Sequence, residues 1–149
     1  QVIFERPLPT VLCDMVRVRE IFSNLISNAL KYNRQKLPRI EIGFISVDEV
    51  SNRPKGPDTA DGHTIYFVRD NGIGIESRHF EKIFGMFKRL HGSDEFGGGV
   101  GAGLTVVKKV VSRHGGDVWL DSFANGGSIF YFTLPCPTDS ETPKGKVIL

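Results

Sequence analysis

Between Gly92 and Gly103, six of twelve residues are glycine: Gly92, Gly97, Gly98, Gly99, Gly101 and Gly103. Inside a helix or strand each glycine costs roughly 0.5–1 kcal/mol relative to alanine. No well-packed element runs easily through this window, and the core has to be assembled from the segments on either side. The chain as a whole holds 17 glycines in 149 residues, above the usual share of about 7%. Two readings of the clump stand side by side. It is a surface loop, or it is a backbone cradle for phosphates, since unshielded amides and a following helix N-terminus both favour negative charge.

The flanking segments carry clear periodicity. Asp14 can cap a helix over Met15 to Asn33, its carboxylate accepting a first-turn amide. On that helix Val18, Phe22, Leu25, Ile26 and Ala29 share one side, while Glu20, Asn24, Ser27, Asn28 and Lys31 share the other. After Pro38, Arg39 to Val47 alternates Ile40, Ile42 and Phe44 with polar or small residues, the pattern of a strand. Asp48 to Gly62 has prolines, a glycine and acids with almost nothing to bury, and reads as a surface loop. A strand over Thr64 to Arg69 leads into Asp70-Asn71-Gly72, and Ser77 to Phe84 has helical spacing. A helix from about Ala102 places Leu104, Val107 and Val111 on one face and ends at Gly115-Gly116, where a left-handed cap suits glycine. Val118 to Phe123 and Ser128 to Leu134 form two strands joined through Asn125-Gly126, a hairpin signal. This order predicts helices layered on one face of a mixed sheet rather than a doubly wound parallel fold.

Composition narrows the function classes. At 149 residues there is room for one domain, and 40% hydrophobic against 24% charged residues suffices for a core. Nineteen basic and seventeen acidic side chains leave +2, too little for a nucleic-acid footprint. Cys13 and Cys136 form neither a disulfide framework nor a thiolate metal site. With no apolar run near the roughly 18 residues of a membrane span and no signal-peptide pattern, the expectation is a soluble chain in a reducing compartment, with no membrane contact.

Two phosphate motifs fail. No glycine-lysine pair is followed by Ser or Thr, as a P-loop requires, and a dinucleotide fingerprint forced onto Gly97, Gly99 and Ala102 is preceded by polar HGSDEF where a buried strand belongs.

A different set of motifs fits in order and spacing. Asn24-Leu-Ile-Ser-Asn28-Ala-Leu-Lys31-Tyr32 resembles the N box of histidine kinases, and Asp70-Asn71-Gly72-Ile73-Gly74-Ile75 resembles their G1 box. Phe84-Gly-Met-Phe87-Lys-Arg89-Leu90 is similar to the F box, and Gly99-Val100-Gly101-Ala102-Gly103-Leu104 to the G2 box. Gly126-Gly127-Ser128 before an aromatic strand is similar to the last glycine motif. The resemblance covers about Leu12 to Pro135, and its wording around Phe87 and Arg113 is similar to phytochrome-type sensor kinases.

The resemblance implies the Bergerat fold shared with gyrase and Hsp90: a two-layer α/β (α+β) sandwich, its mainly antiparallel mixed sheet covered on one face by about three helices. It implies a catalytic domain over residues 1–137, with 138–149 as tail or linker, and the cofactors ATP and Mg²⁺. Two amide oxygens one helical turn apart, on Asn24 and Asn28, suit a hard cation that keeps several waters, with Asn28 the direct ligand. Lys31 would meet phosphate oxygens and Arg89 the terminal phosphate. Asp70 would accept the exocyclic amine of adenine, with Gly72 and Gly74 letting the backbone pass near the base and Ile75 beside them. Gly99, Val100, Gly101, Ala102, Gly103 and Leu104 would hold phosphates, and Ser128 would act near the base.

Related ATPases carry a glutamate as water-activating base four residues before the metal-binding asparagine. Here that position is Asn24, and an amide cannot take the proton, so rapid hydrolysis is not expected. None of His63, His79, His91 and His114 resembles a phosphoacceptor site. The resemblance therefore implies a protein-histidine kinase's catalytic portion that acts on a histidine in a separate dimerisation domain, within a cytoplasmic two-component system ending at a response regulator receiver domain. A nucleotide-responsive module without phosphotransfer and an anti-sigma-type serine kinase are the alternatives.

Overall fold

The apolar alternation and the Asp14 cap are realised in a computed structural model, which describes residues 1–9, 11, 13–49, 51, 54–57, 63–80, 82–85, 102–123 and 126–134. Strands β1 (Val2–Phe4), β2 (Ile40–Ile45), β3 (Ile65–Asp70), β4 (Val118–Phe123) and β5 (Gly127–Thr133) form one sheet in the order β1-β2-β3-β5-β4. Only β1 runs parallel to its neighbour; the other pairs are antiparallel. Helices α1 (Met15–Lys31) and α2 (Gly103–Arg113) lie on one face.

Register decides which side chains meet. Tyr66 and Val68 of β3 stand opposite Phe132 and Phe130 of β5, which stand opposite Val118 and Leu120 of β4. This face joins Val18, Ile21, Leu25 and Ala29 of α1 and Val107, Val110 and Val111 of α2 in the core. Each fully buried aliphatic contributes about 1.5–3 kcal/mol, and Phe132 adds a stack on Tyr66 and an edge contact with Phe22, both at 5.5 Å. The outer face carries Trp119 stacked on Tyr131 at 5.6 Å and Glu41 between Arg39 and Arg69.

The predicted mixed, mainly antiparallel sheet with helices on one face is the observed architecture, with differences of detail. Helix α1 stops at Lys31 rather than Asn33, because the Tyr32 carbonyl turns away to accept the amide of Ile73 at 3.1 Å. Among the described residues there are two α-helices. The helix expected over Ser77 to Phe84 is a 3₁₀ turn at Ser77–His79 followed by turns, whose bonds run mostly three residues back; Ile83 is buried without a longer helix. β1 is too short for alternation to announce it. The expected hairpin is present, and among its described residues Gly127 takes the left-handed conformation (φ 85°). The expected surface loop is exposed at Asp48, Ser51, Lys55, Gly56 and Pro57, and it passes near the sheet, where a Cβ on Gly56 would lie 2.7 Å from the Trp119 ring.

Candidate functional site

Three segments meet along α1. At one end, the Asp14 carboxylate accepts the amides of Val16 and Arg17 at 3.0 and 3.2 Å. Val18, Ile21, Leu25 and Ala29 form the buried stripe of the helix, and Asn24, Asn28 and Lys31 run along its flank, each half-buried. Asn24 is half-buried, and its Nδ2 donates to the Glu20 carbonyl at 2.8 Å. Its Oδ1 faces the start of α2, where a Cβ on Gly103 would approach within 2.8 Å. The N box thus abuts the last glycine of the G2 segment. Ala102 and Gly103 open α2, where no side chain among the described residues caps the first turn, and the leading amides of a helix suit an anion. Leu104 instead packs against the core.

At the other end, the turn after β3 closes on the C-terminus of α1. Gly72 sits where a Cβ would lie 2.5 Å from the Tyr32 carbonyl oxygen, and Gly74 (φ 74°) where one would lie 2.0 Å from that of Phe123. Both glycines are demanded by the chain's own backbone, a nearer reason than room for a ligand. The Asn71 side chain fastens the turn: its Oδ1 accepts Asn33 Nδ2 and the Arg39 amide at 2.8 Å each, and its Nδ2 donates to the Leu37 carbonyl at 3.1 Å. Ile75 packs against the core.

Asp70 lies between these ties at the end of β3, half-buried. Its Oδ1 accepts the Gly72 amide at 2.7 Å, and the Ser128 backbone amide also donates to it. Burial pushes its carboxyl above the ordinary carboxylate range, with the two amides pulling partly back. A desolvated carboxylate held by backbone amides is a strong acceptor for a further donor. Lys31 stands 5.5 Å from the Tyr32 ring centroid, at the helix end where its charge suits the dipole.

The structure thus brings Asn24 to Ala102-Gly103, and Asp70, Gly72 and Gly74 to Ser128 and the far end of α1. Arg89, Gly99, Val100 and Gly101, like Phe87 and the tail 138–149, lie outside the described residues. Sequence reasoning missed Ser122, whose hydroxyl accepts the Ile75 amide at 2.7 Å and contacts the Gly127 carbonyl and Ser128 Oγ at 2.9 Å each. The available signal was a serine in phase with Val118 and Leu120, on the core-facing side of β4. Among the described residues no group of three His, Cys, Asp or Glu could hold a metal. A cation here would use amide oxygens, a hard donor set that suits Mg²⁺ with remaining positions taken by water or phosphate.

Residues 13–138 match the family described as Histidine kinase-, DNA gyrase B-, and HSP90-like ATPase. Cyanobacterial phytochrome B of Nostoc sp. (strain PCC 7120) is 51% identical over 127 residues, 85% of this chain and 15% of that protein. Among solved structures, the mycobacterial sensor histidine kinase MprB superposes with a TM-score of 0.67 at 25% identity, covering 92% of this chain and 84% of that one. Full-length ShkA in complex with AMPPNP gives 0.65 at 26% identity, covering 90% of this chain and 24% of that one. The chain therefore spans about a seventh of the curated relative's length.

Proposed function

The chain belongs to the family of histidine kinase-, DNA gyrase B- and HSP90-like ATPases, and on that footing we propose that it binds Mg²⁺-ATP and presents the γ-phosphate to a histidine on a separate dimerisation and phosphoacceptor domain. The observation that carries this reading is Asp70, a desolvated carboxylate at a strand end that the surrounding amides leave able to accept a donor. The exocyclic amine of adenine is such a donor. Ser128, whose amide already donates to Asp70, stands beside the base.

Phosphates extend from there along the polar face of α1 toward α2. The first-turn amides of α2, including those of Ala102 and Gly103, accept their charge, with Gly99, Val100 and Gly101 of the same motif. Lys31 acts as a point charge on phosphate oxygens, and Arg89 on the terminal phosphate. The Asn28 amide oxygen, with Asn24 beside it, would hold Mg²⁺, which when bound neutralises phosphate charge. Phosphoryl transfer of this kind depends on positioning and charge stabilisation.

The same face is poorly equipped to activate water. The Asn24 amide has no basic lone pair to take a proton, and Glu20, one turn earlier, is paired with Arg17 at 2.9 Å. Slow hydrolysis with retained binding follows. The partners on this reading are the protein's own dimerisation domain and a response regulator receiver domain, not nucleic acid, and the compartment is the cytoplasm. Among the described residues no helix is long and apolar enough to cross a membrane.

The test is calorimetric titration with ADP and ATP, with and without Mg²⁺, on the parent and Asp70→Asn. Mg²⁺-dependent binding that the variant weakens at least about tenfold is expected. No binding, or a variant that matches the parent, overturns the reading. Labelled ATP mixed with a histidine-bearing dimerisation hairpin then separates a kinase from a binding module, which would leave the hairpin unlabelled. An acid-stable product would mark a serine kinase instead.

A further inference from the structure

Ser122 of β4 and Ser128 of β5 are cross-strand partners on the helix-covered face. Asp70 lies on that face too, one position beyond the Arg69–Ile129 pair. Ser128 is 5% exposed. Three contacts converge on Ser122 Oγ: the Ile75 amide at 2.7 Å, the Gly127 carbonyl at 2.9 Å and Ser128 Oγ at 2.9 Å.

Proton counting fixes the direction of all three. An amide N–H only donates, so Ser122 accepts from Ile75. A carbonyl only accepts, so Ser122 donates to Gly127, and a serine hydroxyl has one proton to give. That proton is committed, and in the third contact Ser128 has to be the donor. Once its own proton is turned toward Ser122, the Ser128 oxygen offers only lone pairs to anything else.

We propose that Ser122 is a positioning residue for base recognition: by drawing the Ser128 proton to itself it makes Ser128 an obligate acceptor beside Asp70, so that the site favours a purine carrying an amine at position 6 over one carrying a carbonyl. This rests on the adenine-nucleotide reading above and adds a second, separately removable source of discrimination to Asp70. A 6-oxopurine would set its carbonyl oxygen against the Ser128 lone pairs, and a hydroxyl held in one orientation cannot rotate to relieve this. Removing Ser122 frees the Ser128 proton to serve the carbonyl.

The experiment is calorimetric binding of Mg²⁺-ADP and Mg²⁺-IDP, an adenine and a hypoxanthine nucleotide, to this chain and to Ser122→Ala, Ser122→Thr and Asp70→Asn. The parent is expected to prefer ADP. Ser122→Ala should lower that preference about tenfold, the value of one hydrogen bond gained or lost, and Ser122→Thr, which keeps the hydroxyl, should retain it. A purely structural Ser122 would weaken both nucleotides alike and leave the ratio unchanged. That result, together with an Asp70→Asn variant whose ratio does fall, overturns the role of Ser122 while the adenine reading stands. A parent that binds ADP and IDP equally, or neither, overturns the adenine reading and the proposal with it. Should Ser122→Ala fail to fold, Ser128→Ala removes the acceptor directly, and an unchanged preference there overturns the proposal equally.

Discussion

A Cβ placed on Gly127 would lie 2.0 Å from the carbonyl oxygen of Asp70. The first residue of the last strand thus presses directly on the backbone of the residue proposed to read the base, and its φ of 85° lies in the left-handed region. Gly127→Ala combines a steric overlap with rigid backbone and an unfavourable dihedral, and should cost more than about 3 kcal/mol. Gly115 has a similar φ of 74° but nothing within 4 Å of an added Cβ. Gly115→Ala should cost only about 1 kcal/mol. Urea denaturation of the two variants side by side checks this; equal costs would mean that the dihedral alone matters.

At Gly103 the added methyl would meet only the end of a side chain, Asn24 Oδ1 at 2.8 Å. Alanine favours the helix by about 1 kcal/mol, while displacing Asn24 strains its bond to the Glu20 carbonyl, also worth about 1 kcal/mol. Gly103→Ala should therefore leave stability within about 1 kcal/mol and still weaken Mg²⁺-nucleotide binding about tenfold, because the amide proposed to stand beside the metal has moved. Denaturation and calorimetry on one preparation would show the split.

Asp70 makes stability depend on pH in a definite direction. Burial raises its carboxyl above the ordinary value of 3.8, so the folded chain holds that proton more tightly than the unfolded one. The contribution is fully present below the unfolded value and is lost as pH rises through the folded one. Asp70→Asn does not titrate. The stability of the parent minus that of the variant should fall as pH climbs from acid toward neutral, measured by denaturation at several pH values. A difference that grows with pH would contradict the assignment of burial as the dominant cause.

Asn71 makes three side-chain bonds that tie the turn after β3 to the segment leaving α1. Asn71→Ala should cost about 2 kcal/mol and speed hydrogen exchange at the amides of Ile73 and Arg39. Exchange at Val68, inside the sheet, should change only with global stability.

Much of the fold is written in local pattern. The Asp14 cap, the apolar stripe of α1 and the alternation through Ile40, Ile42, Val68, Leu120 and Phe130 each need only a few neighbouring residues to be read, because helix and strand periods are local properties. The ordered boxes around Asn24, Asp70 and Gly103 led to the family in the same way. The end of α1 lies two residues before the one its periodicity predicts, since its stop is a carbonyl captured by Ile73, forty-one positions away in the chain.

What the sequence by itself determined is which residues are polar on an otherwise apolar element, and therefore which faces carry chemistry. Only the tertiary structure decided how those faces meet: that Asn24 abuts Gly103, that Gly72 and Gly74 are required by the carbonyls of Tyr32 and Phe123, and that Ser122 joins Ile75, Gly127 and Ser128. The reason is physical. A strand's alternation says which way Ser122 points, but its partners follow from register and strand order, which are settled by packing the whole sheet under α1 and α2.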